Sequence, residues 1–454
     1  MGCTLLIRIL PPHRGGLINR FLIEPNLPLV TDYFMPTNYF DNLEIRTPEQ
    51  RESELLGRLP ALISLAKSVL GWQHILKDVS PEHITSRAAL ALLPVTRKSG
   101  LQALQEKQAP FGGLVTRQPQ QLRRLFMSPG PIFDPEGHGA DWWRFSRPLH
   151  ALGVRSGAII QNCFSYHFTP AAFMVESAAQ YLGCTVIPAG VGQTEMQVQA
   201  IAALRPQVYA GTPSFLKLIL EKAQELGADI SSLKYALVGA EALPPSLRQW
   251  LQQNGVERVL QMYASADIGN IAYETVSDNE INPGMILDEE LLLEIVRPGT
   301  GDVLAAGEVG EVVITSFNSD YPLIRFATGD LSAILPGISP CGRTNQRLRG
   351  WLGRADQTTK IRAMFVHPSQ ISDILRRHPE INKARLEITG KVSRDIMTLY
   401  CEVSNPDDEF AERRIASIIS TIRDVTKLRA DVKLLNLNDL PNDGRVIADL
   451  RDYT

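Results

Sequence analysis

The chain has 454 residues, 44% of them hydrophobic and 21% charged, with a formal net charge of -3 at pH 7. That is ordinary globular composition, sufficient for a large core, and the length suits roughly three domains or one large and one small. So nearly balanced a charge gives no reason to expect nucleic acid or an anionic membrane surface as partner. The five cysteines (Cys3, Cys163, Cys184, Cys341, Cys401) form no Cys-x-x-Cys pair. This argues for a reducing, cytoplasmic setting and against a disulfide framework or zinc ribbon. No apolar run approaches the roughly 20 residues that a spanning helix needs.

In chain order, the apolar start at 1–10 is short and is stopped by Pro11-Pro12 with no convincing small-residue cleavage site after it, so no signal peptide is expected. Gly2 suggests myristoylation, but Leu6 stands where that motif needs Ser or Thr. Residues 1–34 are expected to be a poorly ordered extension. From 47 to 104 the pattern is largely helical, with Leu55, Leu59, Leu62, Ile63 and Leu65 at three- and four-residue spacing. The segment 92–98, broken by Pro94 and ending in Arg97-Lys98, reads as an exposed connector. A Pro- and Gly-rich stretch at 128–139 reads as a loop.

Between 158 and 263, short apolar runs alternate with helical segments. Strands are expected at 158–160, 184–187, 207–210, 235–238 and 259–262, and a helix at 213–226 with Pro at its start and Gly227 beyond its end. This alternation predicts a parallel α/β sheet, whose ligands bind beyond the carboxyl ends of the strands. The residues there are Gly211-Thr-Pro-Ser214, Gly239-Ala240-Glu241 and Tyr263-Ala-Ser-Ala-Asp267. After 281 the character changes to strands and turns, at 291–296, 309–315 and 323–326, a β-rich subdomain packed on the α/β part. A last α+β unit of ordinary small-domain size begins near Asp356, with helices at 369–378 and 409–428 and strands at 384–388, 397–403 and 432–437.

The most informative stretch is Pro322-Leu-Ile-Arg325-Phe-Ala-Thr328-Gly329-Asp330, followed by Cys341-Gly-Arg343 and Gly353-Arg354-Ala-Asp356. An Asp on a Thr-Gly turn after an apolar strand can offer two acceptor oxygens to a vicinal diol such as a nucleotide ribose. Alone, such an Asp more often caps a turn. In this order, the elements resemble the adenylate-forming acyl-CoA synthetase superfamily, and more closely its phenylacetate–CoA ligase branch. The resemblance runs from about Tyr39 to the end of the chain.

The resemblance implies a large N-terminal AMP-binding domain (35–355) and a small mobile lid (356–454). It also implies ATP-dependent activation of an aromatic, phenylacetate-like carboxylic acid to an acyl-adenylate, then transfer to coenzyme A, with ATP/AMP, Mg2+ and coenzyme A as cofactors. On this reading Asp330 binds ribose and Arg354 contacts the nucleotide. Gly239, Ala240, Glu241 and Tyr263 surround adenine, Asp267 holds Mg2+, and Asp356 is the hinge. Phe164, Tyr166 and His167 line the acyl pocket. Beside each stands a plainer reading: a strand-to-helix turn at Gly239, a buried strand-end ring at Tyr263, a surface ion pair at Arg354, and core packing for the aromatics. The expected partners are the small-molecule acid and a second copy of the chain in a homodimer.

Several positions depart from the family. The phosphate loop, usually rich in Ser, Thr and Gly and carrying a Lys, reads Ser128-Pro-Gly-Pro-Ile-Phe-Asp134-Pro-Glu136-Gly. Its prolines remove amide donors and its carboxylates oppose phosphate. Asp267 and Ala266 replace the usual Glu and hydroxyl. At the C-terminus, where the family has a catalytic lysine, the chain has Gly444-Arg445, so Arg445 either stands in for the lysine or matches a later family arginine. Ala363 occupies the position of a glycine beside the pantetheine channel. Taken together, these departures leave an alternative, a non-catalytic homologue that binds nucleotide or acyl-CoA and has lost adenylation.

Overall fold

The five strands expected between 158 and 263 make up the parallel half of a nine-stranded sheet. The computed structural model describes residues 38–451 apart from 129, 242, 353, 356, 358, 362, 363, 367, 391–394 and 442–444. The 1–34 extension, Ala363 and the hinge Asp356 lie outside the described residues. In space the order is Thr185–Pro188, Ile159–Asn162, Val208–Gly211, Tyr235–Val238 and Arg258–Ser265, each parallel to the next. The register pairs Gly211 with Val238 and Val238 with Gln261, so the loops that follow leave one edge of the sheet together. Gly269–Tyr273, Met285–Leu287, Arg347–Leu348 and Ile334–Leu335 extend the sheet antiparallel.

Local chemistry sets the helices between these strands. In Pro213–Leu226 the Thr212 hydroxyl accepts from the Phe215 amide at 3.3 Å, Pro213 opens the first turn, and Gly227 closes the helix at φ 62°. Its apolar face, Leu216, Ile219, Leu220 and Ala223, is buried in the core. Near the start of the described chain, Thr47 and Gln50 form a reciprocal capping box ahead of Pro48–Ala66. The preceding turn is tied down by charge: buried Glu44 pairs with Arg343, and Arg46 and Arg51 both pair with buried Glu289.

Two expectations for this half are corrected. Segment 92–98 is not an exposed connector. Leu92 is exposed, but Leu93 and Thr96 are buried, and Thr96–Arg97 is a strand parallel to Leu323–Ser332. Arg325 holds the segment in place, because its guanidinium donates to the carbonyls of Ala91 and Leu93 at 2.6 Å and pairs with Glu294 at 3.0 Å. A two-residue strand has no periodicity for a sequence pattern to reveal. Likewise 128–139 is not simply a loop. Arg124–Ser128 and Ile132–Glu136 form a hairpin with Phe126 opposite Asp134. Pro135 is tolerated there because the hairpin has only two strands, so its missing N–H breaks no second ladder.

The second sheet runs Thr96–Arg97, Leu323–Ser332, Gly310–Ser316, Leu291–Val296. Leu323–Ser332 was expected to stop at Phe326. It continues because Gly329, at φ 78°, lets the strand bend without ending. From 361 onward the chain builds a separate core of Ile371, Ile374, Leu386, Leu399, Ile418 and Ile422. That core lies between Pro368–Arg377, Ala411–Thr426 and a sheet ordered Asp431–Leu435, Ile396–Val403, Ile381–Thr389, Ile447–Asp449.

Candidate active site

Asp330 is the best-connected carboxylate at the strand ends. Its Oδ2 accepts from the Tyr263 hydroxyl at 2.8 Å, and its Oδ1 accepts from Arg354 Nη1 at 2.9 Å and from the Trp351 indole at 3.1 Å. Backbone pairing of Asp330 with Arg354 fixes the guanidinium beside it. The bend at Gly329 also makes room, since a Cβ there would lie 2.6 Å from Arg354 Nη2. The Tyr263 oxygen also lies 3.1 Å from the Thr328 hydroxyl. Burial, with the charge of Asp330 behind it, pushes the phenol of Tyr263 well above its usual range, so it stays a neutral donor. A carboxylate has about four acceptor positions. Three are used here, so a diol needing two must displace one donor.

Beside this group lies a second cluster that the sequence did not suggest. Lys98, one residue past the Thr96–Arg97 strand, forms an ion pair with Oδ2 of Asp267, whose side chain is fully buried. Burial pulls the lysine's pKa down, but Asp267, Asp134 and Asp330 outweigh it and hold the ammonium above its usual range. The phosphate loop thus lacks a Lys, but the site does not lack a cation.

Asp134, on the inner face of the hairpin, is fully buried and accepts from the Ser128 hydroxyl. Burial first, then the charge of Asp267, pushes its carboxyl up to about 8. Oδ1 of Asp134 and Oδ1 of Asp267 are both buried without a hydrogen-bond partner. Glu136, the other acidic residue of that stretch, turns instead to Arg124 at 2.9 Å.

Gly239, Ala240 and Glu241 leave the sheet directly after Tyr235–Val238. Ala240 sits in the left-handed region at φ 64°. Glu241 accepts from the Ser214 hydroxyl at 2.5 Å, and Gln261 Nε2 donates to its carbonyl at 3.2 Å. Lys360 donates to the Ala240 carbonyl at 3.0 Å, so the segment after residue 358 touches this loop. Burial lowers the pKa of Lys360, and Glu241 offsets part of that.

The three aromatic-motif residues are spread out. Phe164 is buried in the main core. Tyr166 is half-buried, accepts from Asn162 Nδ2 at 2.9 Å and meets Phe173 edge-on. His167 is exposed and stacks edge-on against Phe168. Arg445 is exposed, and the amide of the next residue, Val446, donates to Gln357 at 3.0 Å. Arg325 serves the fold, as described above, and is only 1% exposed. No group of three or more His, Cys, Asp or Glu side chains among the described residues could hold a metal ion.

Residues 146–318 match the model of the AMP-binding enzyme family. A phenylacetate–coenzyme A ligase of Thermus thermophilus is 30% identical over 368 residues, 78% of this chain and 81% of that protein. Another from Aromatoleum evansii is 28% identical over 73% of this chain and 76% of its own, and one from Escherichia coli is 27% identical over 82% and 88%. Among solved structures, 2-hydroxyisobutyryl-CoA ligase in complex with 2-HIB-AMP and CoA matches with a TM-score of 0.78 at 22% identity, covering 94% of this chain and 95% of that one. The architecture is that of the adenylate-forming enzymes. Within them, the chain belongs to the phenylacetate–CoA ligase family.

Proposed function

We propose that the protein joins an aromatic, phenylacetate-like carboxylic acid to coenzyme A at the expense of ATP. In the first half-reaction an acid oxygen attacks the α-phosphorus, the bond to the β-phosphate breaks, and pyrophosphate leaves. In the second the thiol attacks the acyl carbonyl and AMP leaves. The observation that carries this reading is Asp330, held by Tyr263 and Arg354 beyond the carboxyl ends of the parallel strands, in a chain of this family.

Each proposed role has a physical basis. Asp330 accepts the ribose hydroxyls. Arg354 offers a planar, permanently charged donor to ribose or phosphate. Gly239, Ala240 and Glu241 give a backbone edge near the adenine, and the Tyr263 ring packs on it. Lys98 takes the place of the missing loop lysine as the cation near the phosphates, and Arg445 reaches the adenylate if residues 356–454 swing as a lid. Tyr166 gives the acyl side a wall, with His167 at its rim and Phe164 packed in the core behind them. Asp267 fits Mg2+, because its buried Oδ1 lacks a partner. When bound, the ion neutralises charge on the triphosphate. ATP and coenzyme A favour a cytoplasmic setting, and no helix among the described residues is long and apolar enough to cross a membrane.

Carboxylate-dependent ATP–pyrophosphate exchange, with phenylacetate, benzoate and aliphatic acids, tests the reading. Exchange above the no-acid control is expected with the aryl acids, and its loss in Asp330→Ala. An Asp330→Ala protein with normal turnover would remove the site assignment. No exchange from folded protein that still binds AMP would leave a nucleotide-binding homologue instead.

A further inference from the structure

The hairpin that carries the phosphate segment has only two strands, Arg124–Ser128 and Ile132–Glu136. A ribbon of that kind is marginal unless something holds its outer edges. Here the second strand is held by a side chain. The Phe133 N–H donates to Gln105 Oε1 at 2.8 Å, and Gln105 Nε2 donates back to the Phe133 carbonyl at 2.9 Å. A primary amide offers an acceptor and a donor side by side, so Gln105 completes this edge as a third strand would. Alternate residues of a strand turn their backbone groups to the same side, which makes Pro135 the other outward position. Proline has no N–H, so Phe133 supplies the only outward amide donor of Ile132–Glu136. The opposite edge is held at the same rung. Met127 stands opposite Phe133, and its amide donates to the Phe168 carbonyl at 2.9 Å. One more pair, Ser128 and Ile132, follows this rung in the register.

We infer that Gln105 is a positioning residue for the β- and γ-phosphates of ATP, acting through the backbone of the hairpin. Gln105 is 4% exposed and lies on Leu101–Lys107, the helix that follows Lys98–Gly100. One short stretch of chain therefore carries the cation proposed for the phosphates and the clamp that sets the phosphate segment beside it. The other edge hangs on Phe168, which follows Tyr166 and His167 on the acyl side. The inference rests on the ligase reading for the identity of the ligand. The clamp acts on the phosphate segment and not on Asp330 or Tyr263, so it serves the β- and γ-phosphates rather than the nucleoside. AMP, which has neither phosphate, is the internal control.

The test compares full-length wild type, Gln105→Met and Gln105→Glu, each checked for folding by thermal melting. Methionine keeps the length of the side chain and neither hydrogen bond, whereas glutamate keeps the acceptor and loses the donor. In acid-dependent exchange the KM for MgATP should rise about tenfold in Gln105→Met, the size expected for losing a buried pair of hydrogen bonds, and by less in Gln105→Glu. The KM for the acid, and AMP affinity by titration calorimetry, should stay within about twofold of wild type. Gln102→Met, on the exposed side of the same helix, should leave all three values unchanged. If Gln105→Met does not fold, Gln105→Glu carries the comparison. An unchanged KM for MgATP in the folded variant would overturn the inference and leave the ligase reading standing. Equal loss of AMP and MgATP affinity would also overturn it, since general damage reaches both. If wild type exchanges with no acid, MgATP affinity is read by calorimetry instead. MgATP binding that depends on Gln105 would then keep the inference and remove the ligase reading. No MgATP binding, or binding indifferent to the substitution, would remove both.

Discussion

Lys98 and Asp267 lie 169 positions apart in the chain and meet as an ion pair. Asp267 is the more buried partner, with no exposed side-chain surface, whereas Lys98 keeps about a quarter of its own. Removing the lysine would leave the carboxylate buried without a counter-charge, and such losses cost about 3–5 kcal/mol when both partners are deeply buried. Because Lys98 is partly hydrated, a cost toward the lower end is expected for Lys98→Met, read by urea unfolding. If Lys98 also meets developing phosphate charge, exchange should fall by about 10²–10³-fold. Exchange within threefold of wild type would limit Lys98 to a structural role.

Trp351 should report nucleotide binding. Its indole donates to Oδ1 of Asp330 but is 40% exposed, so it is the least anchored of the three donors. Losing one exposed hydrogen bond costs about 1 kcal/mol or less. AMP should therefore displace the indole and change tryptophan fluorescence in the wild type, but not in Trp351→Phe. Trp351→Phe should bind AMP within a few-fold of wild type. Much weaker binding by this variant would mean that the indole itself contacts the ligand.

Arg325 should behave as a structural residue despite its place in the motif. It is buried against Glu294 and the carbonyls of Ala91, Leu93 and Gly301. Arg325→Leu would leave a buried carboxylate and three carbonyls without donors, for a loss of about 3–5 kcal/mol. Because the same guanidinium seats the strand that delivers Lys98, activity should fall along with stability. A variant of wild-type stability with reduced nucleotide affinity would contradict this.

His150 should make the fold sensitive to acid. Burial, with Arg155, Arg343 and Arg147 nearby, holds its imidazole at about 4, against only Asp41 on the other side, and its Nδ1 is buried without a partner. Between about 4 and 6.5 the unfolded chain binds a proton that the folded chain refuses, so stability rises with pH across that window and is lost on acidification. The imidazole is partly hydrated, so the effect is about 1–2 kcal/mol rather than the full shift. Asp141 works in the opposite sense, since burial raises its carboxyl to about 6 and the fold favours its protonated form. Urea unfolding at pH 5 and pH 7 should show a shallower fall in His150→Gln than in the wild type. An equal fall in both would assign the acid sensitivity to other groups.

Where the chain carries several agreeing local signals, the sequence was legible. Pro213–Leu226 has its N-cap, its proline and its terminal glycine, and the structure places it at the expected bounds. Leu291–Val296 and Tyr235–Val238 likewise match, as largely apolar strands. Asp330, Tyr263 and Arg354, singled out from motif order, come together in space. Lys98 and Asp134 were not readable in the same way. Lys98 meets Asp267 through tertiary contact just past a two-residue strand, and Asp134 stands on a hairpin whose prolines look like loop. Side-chain direction also escaped the reading, so an aromatic motif that looks uniform places Phe164 in the core and His167 in solvent.

The parallel pairing of Thr96–Arg97 with the strand bearing Asp330 sets Thr96 against Phe326 and Arg97 against Ala327. The ammonium that follows is therefore carried by sheet register rather than by the conformation of a glycine-rich loop. On the proposed reading, the cation that meets the phosphates is thus set by the pairing of two strands and not by a loop.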